Sequence, residues 1–315
     1  MASIDDLPEG LPKYVKDYAP IVYLHSKDPY RPSDIAAHLA NTSPKHNYEP
    51  IAFSPNLETL SRLNGMGSSI YLASNDDVTT DPPWLKGAQL DANGGSLDAK
   101  TAAIIVHDRG NDEVDAFYMY FYSYNLGSMV FGQSFGSHVG DWEHSMIRFK
   151  NGKPTAVWFS QHAMGQAFTY DCLEKEGFRP VVYSSNGSHA NYATKGNHDH
   201  TIPHVNLPFG FLMDQTEKGV RYDPLRSAYC YSVTFDGEVP SFASYDGATP
   251  TDWLYFTGRW GDKTYPDSDP RQRNFLRLGI RKFSDGPTGP RDKGLNRRGI
   301  CPNGTSCWVR PFLMP

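Results

Sequence analysis

Alternating side-chain character organises this chain. The clearest case is residues 114–124, where Tyr118, Tyr120, Tyr122 and Tyr124 fall on one face of an extended segment and Phe117, Met119 and Phe121 on the other. Both faces are bulky, which suits a central strand packed on two sides. Similar runs predict strands at 20–25, 102–107, 143–149, 156–162, 180–184, 228–235 and 275–283. Helical signals are few. Ser33 is placed to cap a short helix through Leu39, and residues 171–177 suggest a helical turn. From about Asn41 to Lys100 the chain is rich in Asn, Asp, Gly and Pro, which predicts a long irregular stretch. No repeat, low-complexity tract or interdomain linker breaks the order. It predicts one all-β domain over residues 1–315, an antiparallel β-sandwich of jelly-roll type with minor helix and long decorated loops.

Composition supports that picture. Aromatic residues make up 13% of the chain and favour strands, while 28 Gly and 24 Pro supply turns in place of long helices. With 39% hydrophobic and 21% charged residues, the 315-residue chain is globular rather than disordered and can bury a large core. A net charge of −5 argues against a nucleic-acid footprint and weakly against attraction to anionic membranes. The start, Met1-Ala2-Ser3-Ile4-Asp5-Asp6, lacks the basic and apolar regions of a secretory signal. No run approaches the roughly 18–20 apolar residues of a membrane span, so no transmembrane segment is expected and the expected location is cytoplasmic. Cys301 and Cys307 enclose a five-residue loop that could close a small disulfide, but a cytosolic setting predicts that they stay reduced. No second close pair of cysteines completes a zinc pattern.

The candidate chemistry is concentrated in His138-Val139-Gly140-Asp141-Trp142-Glu143-His144. If a strand starts near Asp141, then Asp141, Glu143, Ser145 and Ile147 share one face, and Trp142, His144, Met146 and Arg148 the other. Two acids at i and i+2 lie roughly 6–7 Å apart along a strand and repel unless something positive lies between them. His138 arrives from a loop with Gly132, Gly136 and Gly140, which can bend toward the same spot. A divalent cation held by His138, Asp141 and Glu143 is the economical reading: Mg²⁺ or Ca²⁺ first, with Mn²⁺ or Zn²⁺ also compatible. The plainer alternative is a solvated Asp-x-Glu face beside a turn histidine.

Other constellations are less specific. His189 sits in the polar loop Ser184-Ser185-Asn186-Gly187-Ser188-His189, where it could complete the metal shell or act as an acid/base; the alternative is a self-bonded turn. Glu143 and His144 are the other candidate acid/base residues. His198, His200 and His204 form a loop cluster. The aromatic run from Trp253 to Trp260 could wall an apolar pocket or form a corner of the sandwich. Tyr122, Tyr124, Trp253, Arg259 and Trp260 are the candidate substrate contacts. Nucleophile-elbow, phosphate-loop, dinucleotide and His-Glu-x-x-His signatures are absent.

Several blocks, in order along nearly the whole chain, resemble the Vps62 family. They are Ala19-Pro20-Ile21-Val22-Tyr23-Leu24-His25 with Pro32-Ser33-Asp34, Val139-Gly140-Asp141-Trp142-Glu143-His144, Ser188-His189-Ala190-Asn191-Tyr192, and Gly258-Arg259-Trp260-Gly261-Asp262, with Gly289-Pro290 and Cys301-Pro302 closing the series. The His138-x-x-Asp141-Trp142-Glu143 block is also similar to the central motif of necrosis- and ethylene-inducing-like proteins, secreted β-sandwich cytolysins that bind a divalent cation. That likeness implies ligand roles for His138, Asp141 and Glu143. The place of a further acidic ligand is taken here by Asn125, and Val139-Gly140 replaces a basic residue and a second histidine. The main functional expectation is an intracellular enzyme of fungal-type specialised metabolism, a cyclase, lyase or hydrolase acting on a terpenoid or polyketide with a divalent cation. The alternative is a non-catalytic lipid- or glycan-binding protein linked to vacuolar sorting, with a vacuole-associated location.

Overall fold

The tyrosine and phenylalanine faces of one long strand, Glu113–Asn125, enter two different cores. A computed structural model of the chain describes residues 7–67, 69–96, 98–130, 133–162, 164–199, 212–275, 280–304 and 308–313. This strand pairs antiparallel with Ala102–Gly110 on one side and His138–Lys150 on the other. The sheet extends to eight strands in the order Val239–Ser244, Ala228–Asp236, Ala102–Gly110, Glu113–Asn125, His138–Lys150, Lys153–Gln161, Met164–Thr169 and Val309–Arg310. Most neighbours are antiparallel. Ala228–Asp236 runs parallel to Ala102–Gly110, and Val309–Arg310 parallel to Met164–Thr169.

On the tyrosine face, Tyr118, Tyr120, Ile147 and Phe159 pack against Val22 and Val182 of a smaller sheet. That sheet runs Lys175–Glu176, Arg179–Ser184, Ile21–Leu24, Val220–Tyr222. On the opposite face, Phe117, Phe121 and Trp142 meet Leu63, Leu72 and Trp260. Burying both faces is what the doubly bulky strand requires, and the chain is an all-β sandwich with long decorated loops, as its alternation predicts.

Local departures have local causes. The stretch expected to be irregular contains a three-stranded sheet of Thr42–His46, Glu49–Pro50 and Ile70–Ser74. These strands are short and interrupted by turns, so no period emerges from the sequence. The short helix is Ile35–Ala40, and its cap is Asp34, whose carboxylate accepts from the Ala37 N–H at 2.7 Å. Ser33 instead accepts from the Ser123 N–H. The turn expected at 171–177 is a 3₁₀ turn at Tyr170–Cys172 followed by the strand Lys175–Glu176. The strand expected at 275–283 is a pairing of Asn274–Phe275 with Ile280–Arg281, and residues 276–279 lie outside those described. Cys301 is disulfide-bonded, contrary to the expectation of a reduced thiol, and position 307 lies outside the described residues. Among the described residues no helix is long and apolar enough to cross a membrane.

Candidate functional site: a polar cavity at the end of the large sheet

The register of the central strand pair places the acids. Asp141 lies opposite Tyr122, Glu143 opposite Tyr120 and Ser145 opposite Tyr118, so both carboxylates continue the tyrosine face toward the sheet's end. Trp142 and Met146 enter the other core. Gly140, just before the acids, has φ +68°, and a Cβ there would stand 1.8 Å from the Trp260 carbonyl oxygen. Only glycine lets the start of this strand lie so close to the loop that crosses it.

A cavity of about 730 Å³ opens at this end. Asn125, His138, Asp141, Glu143, His162 and Ser188 line it, with Lys293 from a distant loop and Phe135, Leu212 and Phe283 as apolar walls. Asp141 Oδ2 accepts from His189 Nδ1 at 2.9 Å, and Asp28 Oδ2 lies 3.4 Å from His189 Nε2. The His189 ring is fully buried and stacks on Tyr122, with centroids 3.7 Å apart and planes within 4°. Burial alone would pull this imidazole down. Asp28 and Asp141 outweigh it and hold the pKa above its ordinary value, with one carboxyl group near each ring nitrogen. Asp28 is fixed in turn, accepting from the Tyr30 N–H at 2.9 Å and the Gly187 N–H at 2.8 Å.

Glu143 accepts a hydrogen bond from Ser160. Burial, then the charge of Asp141, pushes its carboxyl up to about 8. His138 Nδ1 donates to the Gly140 carbonyl at 2.7 Å, and burial lowers the pKa of its ring. Asn125 donates to the Gly136 carbonyl at 3.3 Å. On the far wall His162 lies 2.7 Å from Asp214 Oδ2, which also accepts from Tyr192 Oη at 2.7 Å. Asp214 Oδ1 accepts from Ser188 at 2.7 Å. Burial opposes charge on His162, but Asp214 more than compensates and raises it to about 9.

Several expected site residues lie elsewhere. His144 points to the opposite face of its strand, with Nε2 2.6 Å from a nitrogen of buried Arg297, and does not join Glu143. Tyr122 is covered by His189, and Tyr124 packs on Tyr30 in a separate cluster. Trp253 and Trp260 are fully buried in the core behind the sheet, against Trp142. Arg259 is exposed, with its guanidinium 3.4 Å from the Gly286 carbonyl. None of these six lines the cavity. For the tyrosines and tryptophans the reason is packing: aromatic side chains this large bury most surface between layers. His198 stacks on Tyr192 and bonds Thr216, and burial lowers it to about 4; His200 and His204 lie outside the described residues.

Among the described residues no group of three or more His, Cys, Asp or Glu side chains is arranged to hold a metal ion. His138, Asp141, Glu143 and Asn125 therefore do not form the preassembled ligand shell expected from their spacing. Each bonds a protein partner instead.

Sequence reasoning missed Asp28, Ser160, His162, Asp214 and Lys293. Ser160 lies in the strand Lys153–Gln161, and His162 follows it with φ +52°, where strand alternation no longer tells which way a side chain points. Asp28, Asp214 and Lys293 carry no local signal.

The Vps62 family, described as vacuolar protein sorting-associated protein 62, matches residues 8–285. The putative vacuolar protein sorting-associated protein TDA6 of Saccharomyces cerevisiae is 36% identical, with 96% of this chain and 70% of that protein covered. Vacuolar protein sorting-associated protein 62 of the same yeast is 33% identical, covering 93% of this chain and 68% of that protein. Among solved structures, Necrosis and Ethylene inducing Protein 2 from the causal agent of cocoa's Witches Broom disease overlaps 60% of this chain and 70% of its own at 12% identity and a TM-score of 0.29. The non-toxic HaNLP3 protein overlaps 69% and 73% at 11% identity and a TM-score of 0.30. Overlaps this loose carry nothing about ligand or activity. The names of both yeast relatives point to vacuolar sorting, which overturns the expectation of a terpenoid or polyketide cyclase, lyase or hydrolase of specialised metabolism. With matched blocks running from the first strand to the loops around the cavity, the chain belongs to the Vps62 family.

Proposed function

We propose that this chain is a non-catalytic binding protein linked to vacuolar protein sorting, and that its cavity holds a polar ligand, a glycan or a lipid headgroup. The observation that supports this is the lining. Three carboxyl groups, two imidazoles, an amide, four hydroxyls, a guanidinium and an ammonium group surround about 730 Å³. Donors and acceptors so closely mixed suit a hydroxyl-rich ligand and would leave an acyl chain facing unpaired polar groups. The non-catalytic reading rests on how the candidate acid/base residues are used. His189 is held between Asp28 and Asp141, and His144 lies behind the sheet. A vacuole-associated role follows the relatives' names.

The test is a calorimetric titration of the purified protein with a panel of monosaccharides and, separately, with phospholipid vesicles. Binding of one class, weakened at least about tenfold in His138→Ala with the far-UV circular dichroism unchanged, is the expected result. If neither class binds, the reading fails. The divalent cation expected from the sequence enters as a competitor: Ca²⁺ and Mg²⁺ are titrated into the same samples.

A further inference from the structure

Eight large hydrophobic side chains stay exposed among the described residues, and four of them, Phe178, Trp308, Phe312 and Leu313, lie along one edge of the sandwich. Val309–Arg310 is the outermost strand of the eight-stranded sheet, and Lys175–Glu176 is the outermost strand of the smaller one. The 3₁₀ turn Tyr170–Cys172 joins the two edges. Its Cys172 Sγ lies 3.7 Å from the Arg310 carbonyl oxygen, and its Tyr170 hydroxyl donates to the Phe178 carbonyl at 2.7 Å. Trp308 is 58% exposed, Phe312 48% and Phe178 67%. Exposure clustered in this way marks an interaction surface, which singly scattered apolar residues do not.

Three residues of this edge share a face. Trp308, Arg310 and Phe312 alternate with Val309 and Pro311, and the Trp308 ring meets Phe312 edge-on with centroids 6.1 Å apart. The Arg310 guanidinium lies 5.3 Å from the Trp308 ring centre and 5.7 Å from that of Phe168. It makes no ion pair with a described residue and donates no hydrogen bond to one. Its fork of N–H donors is therefore unspent beside exposed aromatic rings, and that fork matches the oxygens of a phosphate.

The form of the edge selects the partner. A protein strand would pair with the free backbone of an edge strand. Here that strand is two residues long, and Pro311 directly after it has no N–H to offer. A bilayer uses the side chains instead. Trp, Phe and Leu suit the boundary between headgroups and acyl chains, where an arginine meets phosphate. Asp171 and Glu174 stand on the connecting segment with Lys175, so together with Arg310 they leave the edge close to neutral. The recognised group is then the phosphate common to phospholipids rather than an anionic headgroup.

We propose that this edge docks on a phospholipid bilayer, with Trp308, Phe312 and Leu313 entering the interface and Arg310 bonding a lipid phosphate. None of these residues lines the polar cavity, so docking and cavity binding are separate properties.

The full chain is co-sedimented with vesicles of phosphatidylcholine, alone and with added phosphatidylserine. Tryptophan fluorescence is followed in parallel with bromine-labelled phosphatidylcholine, which quenches an indole that enters the bilayer. Of the six tryptophans, Trp142, Trp158, Trp253 and Trp260 are buried and cannot report insertion. The expected result is binding to both kinds of vesicle, with quenching that disappears in Trp308→Phe while sedimentation persists, because phenylalanine keeps an apolar ring. The double substitution Trp308→Ser with Phe312→Ser should weaken binding at least about tenfold with the far-UV circular dichroism unchanged. If that variant fails to fold, Trp308→Phe with the brominated lipid decides alone. No sedimentation with either vesicle overturns the proposal, and so does quenching that survives Trp308→Phe. Binding only to the phosphatidylserine vesicles overturns it too, because phosphate is then not the recognised group. Vesicle binding lost in His138→Ala but kept in the double serine variant belongs to the cavity; it overturns the docking proposal and leaves the binding reading standing. Self-association that the double serine variant abolishes, without vesicle binding, assigns the edge to a second copy of the chain and overturns it as well.

Discussion

His189 meets three constraints at once: a left-handed backbone with φ +56°, a ring stacked flat on Tyr122, and a carboxylate near each ring nitrogen. A β-carbon in that backbone region costs roughly 1–2 kcal/mol, so the position is kept by what the ring does. The ring sits between two carboxyl groups that are themselves buried. His189→Ala removes the only positive group bonded to Asp141 among the described residues and leaves both acids uncompensated. A loss of roughly 3–5 kcal/mol is expected, the range for breaking a buried pair by deleting one partner. Urea unfolding of the variant checks this, and a loss below about 1 kcal/mol would mean that the charges are not paired. The alternative, a turn residue bonding its own loop, predicts that smaller value. His189 could be picked out from its polar loop, but Asp28 could not. No local pattern links residues 161 positions apart.

At the scale of elements, strand His138–Lys150 shows what periodicity can and cannot give. Its alternation is as the sequence implies: Ile147 and Phe149 face one core, Trp142 and Met146 the other, and the acids continue the first row. Its beginning is not. The pattern suggests a start near residue 141 or 143, yet pairing continues through Val139 opposite Tyr124 and His138 opposite Asn125. Two glycines make that extension possible. Cβ atoms added at Gly140 and Gly261 would stand 1.8 Å and 1.9 Å from the carbonyl oxygens of Trp260 and Val139. The strand start and the crossing loop thus touch backbone to backbone. Gly140→Ala combines that clash with a φ of +68° and should destabilise the fold by about 3 kcal/mol or more, since backbone cannot swing aside as a side-chain end can. Thermal unfolding measures it, and an unchanged Tm would rule out this close approach. The same variant should displace His138 and Asp141 and weaken ligand binding.

For the whole molecule, the buried titratable groups set a pH profile. Burial lowers His38, His107, His138, His144 and His198, with His38 taken to about 3 and His198 to about 4. Their folded values lie below the unfolded value of about 6.5, so their stabilisation is present above that pH and lost as pH falls toward the folded values. His162 and His189 are raised, His162 to about 9, by Asp214 and by Asp28 with Asp141 against the pull of burial. Their contribution is complete below about 6.5 and lost as pH rises through the folded values. Burial and Asp141 raise Glu143 to about 8, and its contribution falls between about 4.5 and 8. Five histidines outweigh the raised carboxyls of Glu143, Asp262 and Asp292 below pH 6.5, and between about 6.5 and 9 the raised groups lose their contribution; above about 9 Arg297, lowered by burial, works the other way. Stability should therefore peak near pH 6.5, with slopes of roughly 1.4 kcal/mol per pH unit or more on either side. Melting curves from pH 4 to 10 test this, and a profile that climbs steadily to pH 9 would contradict it. The sequence by itself determined the all-β class, the doubly buried central strand and the shared face of Asp141 and Glu143, because side-chain alternation is local and each strand carries its own record of it. Only the tertiary structure decided that the aromatic run at 253–260 is core, that His144 belongs to Arg297, that His162 and Lys293 line the cavity, and that Asp28 and Ser160 meet His189 and Glu143. A buried polar group bonds whatever partner the topology brings within about 3 Å, and that partner comes from segments whose sequence carries no mark of the meeting.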